Sequence, residues 1–134
     1  MAKRSLRPAL VWALLIAVLC LTPGTALPAW QWADLLRVDK LVHTLMFAVL
    51  TVLVARGMRD LHANALPFPK VLLIAGGVSV LYGATMEVLQ EIPGLNRRGD
   101  VIDLIANTVG AIAGAFWFRW RLKRRTASAS VAMH

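Results

Sequence analysis

The sequence predicts an all-α polytopic membrane protein: a four-transmembrane-helix bundle with both termini in the cytoplasm (N-in/C-in). Three observations lead there. The first is composition: 134 residues suffice for one domain, yet 58% are hydrophobic and the mean hydropathy is +0.63. A water-soluble domain is about 45–50% apolar. The second is distribution, since the apolar residues form four runs separated by segments rich in proline, glycine, asparagine and charge. The third is the uneven placement of lysine and arginine between alternate loops.

A spanning helix takes ~20 mostly apolar residues. The first is expected over 6–22 and closes at Thr22-Pro23-Gly24. The second covers 39–56, with Asp39 and Lys40 as a polar first turn. The third covers 70–90, after the Pro67-Phe68-Pro69-Lys70 break, and the fourth covers 100–120, leaving 121–134 as a basic tail. The first span has an alternative reading. Lys3, Arg4 and Arg7 before it and Gly24-Thr25-Ala26 behind it resemble a signal peptide with its cleavage site. Cleavage would leave three spans and an external N-terminus.

Orientation follows from the rule that basic residues stay in the cytoplasm. With the N-terminus inside, 11 of the 15 lysines and arginines fall in the N-terminal segment, the second loop and the tail. The other 4 are Arg37, Lys40, Arg97 and Arg98. Trp30 and Trp32 then lie at the outer interface, and Trp117 and Trp120 at the inner one. The acidic residues cluster oppositely: Asp34, Asp39, Glu87, Glu91, Asp100 and Asp103 gather at the outer boundary, and only Asp60 is inside.

The formal net charge of +8 does not imply a nucleic-acid partner, because the charges sit between and beyond apolar runs. The Arg119–Arg125 stretch suits anionic lipid headgroups instead. Cys20 is the one cysteine, so neither an internal disulfide nor a multi-thiolate metal site can form.

Helical phasing selects the candidate site. Residues at i, i+3, i+4 and i+7 share a face. Asp39, His43 and Phe47 do so on the second helix, and Gly76, Gly83, Glu87 and Gln90 on the third. On the fourth, Asp100, Asp103, Asn107, Gly110 and Gly114 follow a 3-4-3-4 spacing, polar at the outer half and glycine at the inner half. Glycines four apart let helices approach closely in lipid, so this face points into the bundle. Ionisable groups on it mark a functional or paired site. Simpler roles stand beside these: Asp39 and Asp100 as helix-start residues, Lys40 snorkelling to the interface, Glu91 as a solvated loop residue, and Arg97 or Arg98 as counter-ion to Glu87 and Asp103.

Three blocks carry a family resemblance: Asp39-Lys40-Leu41-Val42-His43-Thr44-Leu45-Met46-Phe47, then Glu87-Val88-Leu89-Gln90, then Arg97-Arg98-Gly99-Asp100 leading to Asp103-Leu104-Ile105-Ala106-Asn107-Thr108-Val109-Gly110. In order and spacing they resemble the VanZ-like family of bacterial membrane proteins, over most of the chain. The resemblance implies a multi-pass protein of the bacterial inner (plasma) membrane. It also implies work at the cell envelope, through the family's link to glycopeptide-antibiotic resistance, but it names no reaction. Its recurrent polar positions fall on Asp39, Lys40, His43, Glu87, Gln90, Asp100, Asp103 and Asn107, with Gly110 beside them and Arg97 or Arg98 as the motif arginine.

Two functions are therefore carried forward. In one, a polar pocket at the outer leaflet binds or acts on a lipid-linked or cell-envelope ligand. His43, Glu87 and Asp103 are then the candidate catalytic residues, as proton shuttle, base and acid. Asp39, Lys40, Gln90, Arg97, Arg98, Asp100 and Asn107 are the candidate ligand-binding residues, with lysine and arginine suited to a phosphate or carboxylate. In the other, the same network fixes helix packing and docks a partner without catalysis. The sequence holds no nucleophile elbow, P-loop or His-Glu-x-x-His helix, and its only obvious nucleophile candidates are hydroxyls such as those of Thr44 and Thr85, neither with a motif around it. One histidine with three carboxylates has the donors for a divalent cation, but the spacing matches no dedicated motif, so neither metal nor cofactor is expected. Membrane lipids are the expected partners. Oligomerisation is open, and a channel would require it.

Overall fold

The computed structural model describes residues 6–23, 38–62, 65–95 and 98–131. Among them four helices follow in order and there is no strand: α1 (Arg7–Leu21), α2 (Val38–Leu61), α3 (Phe68–Gln90) and α4 (Val101–Val131). Local chemistry sets their ends. Pro8 and Pro69 occupy the first turns of α1 and α3, where an N–H is not needed and φ is already helical. Thr22 turns extended at the end of α1, ahead of Pro23. Asp100 caps α4: its Oδ1 accepts the Ile102 N–H at 2.8 Å and its carbonyl accepts the Leu104 N–H at 3.1 Å.

Three helices are long and apolar enough to cross a membrane, namely α2, α3 and α4. Helix α1 is apolar but has only 15 residues. Helix α2 continues past 56 to Leu61, and α4 continues past 120 to Val131, so the first part of the basic tail is helical. Arginine and lysine lower hydropathy without lowering helix propensity. The guanidinium groups of Arg121 and Arg124 also lie over the rings of Trp117 and Trp120, at 5.0 and 4.1 Å. Trp30, Trp32, Asp34 and Arg37 lie outside the described residues.

Successive helices run in opposite directions. The C-terminal ends of α1 and α3 therefore meet the N-terminal ends of α2 and α4. The closest pairing is α2 with α4. A Cβ at Gly110 would overlap the Thr44 backbone and one at Gly114 the Ala48 backbone, so these glycines set the crossing distance. Helix α1 packs on α2 and α3 and not on α4. Three side chains tether it: Trp12 Nε1 donates to the Met46 carbonyl (2.9 Å), Tyr82 Oη to the Ala13 carbonyl (2.6 Å), and Gln90 Nε2 to the Cys20 carbonyl (3.0 Å). Ile16 and Cys20 are buried in the shared core with Phe47, Leu50 and Val71. The first apolar run is thus an integral part of the folded bundle.

The perimeter is apolar. Leu73 is 76% exposed, Leu81 70% and Phe116 65%, whereas Asn107, Thr51 and Ser79 are fully buried. Water does not tolerate such an arrangement around a helical bundle, and lipid does. Thr51 and Ser79 satisfy their hydroxyls on the carbonyls of Phe47 and Ala75, one turn back.

Candidate functional site

The polar residues collect at the end of the bundle where α2 and α4 begin and α3 ends. Lys40, in the first turn of α2, is the hub. Its ammonium donates to Asp100 Oδ2 at 2.9 Å and to Asp103 Oδ1, and it pairs with Asp39 Oδ2 at 3.2 Å. Asp103 is the most enclosed of the three aspartates and Asp39 the most exposed. One positive charge therefore serves three carboxylates and ties α2 to α4.

His43 lies one helical turn further in, where it is only 8% exposed. Its Nδ1 hydrogen-bonds Asn107 Oδ1 at 2.9 Å. Asn107 is fully buried, and its Nδ2 reaches Glu87 Oε1 at 3.4 Å. Because that amide nitrogen points at a carboxylate, the amide oxygen must accept from His43, which places a proton on Nδ1. His43 Nε2 has no hydrogen-bond partner among the described residues. Glu87, also 8% exposed, accepts the backbone N–H of Asp100 through Oε2 at 3.0 Å. The end of α3 is thereby fastened to the start of α4. Gly99 makes this approach feasible, since a Cβ there would come within 2.7 Å of the Glu87 carbonyl oxygen.

The structure brings most of the expected site residues together and separates a few. Asp39, Lys40, His43, Glu87, Asp100, Asp103 and Asn107 form one continuous network across three helices. Gln90 is buried beside it but is turned toward α1, on the Cys20 carbonyl. Arg98 is exposed and makes no ion pair among the described residues, and Arg97 lies outside them. Lys40, not Arg98, is the counter-ion of Asp103. His43 pairs with Asn107 on another helix and not with nearby Asp39. The hydroxyls of Thr44 and Thr85 are engaged on backbone carbonyls, Lys40 and Ala106 for the first and Leu81 for the second. Gly76, on the same stripe as Gly83, borders a groove.

Trp12 and Tyr82 carry no signal in the sequence, and Gly99 enters there only within the third family block and as the residue ahead of Asp100. That place, immediately before a helix-capping aspartate, is the signal for Gly99. Two cavities, about 760 and 560 Å³, lie at the opposite, basic end and are lined by residues such as Arg59, Phe68, Gly76, Gly77 and Arg119 for the larger and Arg56, Asp60 and Arg121 for the smaller. None of the polar-network residues lines either of them.

Chemically the cluster is an acidic, partly buried set of acceptors around one committed lysine. Three carboxylates share a single ammonium, and a fourth, Glu87, accepts from the Asp100 N–H and the Asn107 amide. It is equipped to accept a proton, a hydroxyl or amino donor, or a cation. A search of curated proteins and a search of solved structures each gave no match. A family model described as VanZ/LLP1 matches residues 5–123 of the 134. That match takes in every residue of the network, and the chain belongs to the VanZ/LLP1 family of membrane proteins.

Proposed function

We propose that the chain sits in the bacterial inner membrane with both termini in the cytoplasm, and that its polar cluster is a site at the outer leaflet for a lipid-linked or cell-envelope ligand. The basic asymmetry of the loops supports the orientation: 11 lysines and arginines lie toward the basic end and 4 toward the polar end. The observation that carries the site reading is His43. It is buried, its Nδ1 is held by Asn107, a ring nitrogen lies within 4.8 Å of carboxylate oxygens of Glu87 and Asp103, and its Nε2 has no hydrogen-bond partner among the described residues. A network that served only to staple helices would need no such group.

The electrostatics refine the ligand chemistry. Lys40 is already neutralised by three aspartates, so the cluster itself favours a hydroxyl, amine or cationic part of the ligand over its phosphate. A phosphate would fall to Arg98 and Arg97 on the connecting segment. His43 would take a proton from the bound donor group, with Glu87 stabilising the charged imidazole through Asn107. By resemblance to the family, the expected phenotype is resistance to glycopeptide antibiotics.

A second reading has its own support. Lys40, Asn107 and Glu87 each bridge two helices, and Gly110 and Gly114 bring α2 and α4 into close contact. The network then fixes packing and presents a docking surface. Glu87→Gln and Asp103→Asn separate the two, since they keep shape and remove charge. In a deletion strain, the site reading expects normal insertion with loss of glycopeptide resistance. Loss of inserted protein in parallel with resistance would support the packing role instead.

A further inference from the structure

We propose that His43, Glu87 and Asp103 hold a divalent transition-metal ion, of which Zn²⁺ is the representative. This deepens the reading of the cluster as a site. It rests on that reading's choice of His43 as the functional group but not on any envelope ligand, and an ion on Nε2 takes the place of the proton that His43 would otherwise accept there.

The geometry comes first. A ring nitrogen of His43, one carboxylate oxygen of Glu87 and one of Asp103 all lie within 4.8 Å of one another. Ligand atoms around one ion at ~2.0–2.2 Å are at most ~4.4 Å apart. Small side-chain rotations therefore close the site without moving a helix. The three ligands come from α2, α3 and α4, which explains why no short sequence motif announces them.

The second observation is the state of the histidine. Asn107 fixes the proton on Nδ1, so a neutral His43, a residue more than nine-tenths buried, keeps its lone pair on Nε2, which has no partner among the described residues. A ligating imidazole commonly has its other nitrogen held this way by an oxygen acceptor. Here that acceptor is anchored in turn by Glu87. The carboxylates are not exhausted by their present contacts. Asp103 has only Oδ1 engaged, by Lys40, and Glu87 accepts one short bond and one long one.

Charge supplies the third argument. Asp103 shares Lys40 with Asp39 and Asp100, and Glu87 accepts from an N–H and an amide with no ion pair among the described residues. Enclosed carboxylates in excess of their counter-ions are costly. A divalent ion on Glu87 and Asp103 balances that pair and leaves Lys40 for Asp39 and Asp100. A nitrogen donor among oxygens selects a borderline ion such as Zn²⁺ over Mg²⁺. Three protein ligands also leave a position for water or an oxygen of a bound molecule.

The test uses the full chain, purified without a polyhistidine tag in lipid nanodiscs, stripped with chelator and equilibrated with Zn²⁺ alone. About one Zn²⁺ per chain is expected after dialysis, retained against a large excess of Mg²⁺. His43→Gln and Asp103→Asn should each retain less than about a tenth of that, while His62→Gln, at an exposed position, should match wild type. The zinc absorption spectrum of the wild-type protein should show a nitrogen and oxygen shell with the scattering of one imidazole. This arm does not depend on how well the variants fold. Zn²⁺ no higher in wild type than in His43→Gln, displacement by Mg²⁺, or a sulfur shell implicating Cys20 would each overturn the proposal. If wild type binds no Zn²⁺ while His43→Gln still abolishes resistance in cells, the metal is refuted and the ligand site stands.

Discussion

The imidazole of His43 and the carboxamide of Asn107 meet in a buried hydrogen bond of 2.9 Å, across 64 positions of sequence. The bond joins α2 to α4, and through Asn107 Nδ2 it continues to Glu87 on α3. A neutral amide at this junction orients both ionisable groups without adding charge to a membrane interior, where charge is expensive.

The glycines divide into those that set packing and those that do not. Gly110→Ala and Gly114→Ala would drive a Cβ into the backbone of Thr44 and Ala48. Each should cost about 1–3 kcal/mol or more in thermal unfolding of the purified protein. At Gly76 and Gly77 a Cβ meets nothing within 4 Å. Alanine there should be neutral or should stabilise by up to ~1 kcal/mol, through helix propensity. Equal destabilisation by all four substitutions would contradict this packing.

Lys40 is the counter-ion for three aspartates, and its loss should be felt as repulsion among them. We expect Lys40→Gln to destabilise by about 2 kcal/mol, less than a fully buried pair would cost because Asp39 and Asp100 are partly exposed. Adding Asp103→Asn should recover part of that loss, which a double-mutant cycle on thermal stability would read as coupling. Strictly additive effects would show that Lys40 and Asp103 do not interact.

The orientation is checked by labelling. In a Cys20→Ser background, Ile92→Cys places a thiol at the exposed polar end and Ser128→Cys one at the basic end. A membrane-impermeant maleimide on intact cells should label position 92 directly and position 128 only after permeabilisation. The reverse pattern would put the polar cluster in the cytoplasm.

Much of this was legible from the fourth helix alone. The 3-4-3-4 spacing of Asp103, Asn107, Gly110 and Gly114 put them on one face, and the structure buries the last three completely or nearly so. Periodicity reveals a face because it belongs to a single helix. It cannot reveal what meets that face. The choice of Lys40 over arginine as counter-ion, the turn of Gln90 toward α1 and the pairing of His43 with Asn107 all depend on how helices cross. Helix ends were blurred for a different reason. Hydropathy falls at Arg56 and Arg121, but the backbone stays helical through both.

The central claim is that this cluster is a site and not only a staple, and His43→Gln tests it most directly. Glutamine keeps a polar group able to reach Asn107, so the bridge between α2 and α4 is retained while the imidazole is lost. The account predicts wild-type insertion, thermal stability within about 1 kcal/mol of wild type, and glycopeptide resistance no better than in the deletion strain. Full resistance from an equally abundant His43→Gln protein would contradict it.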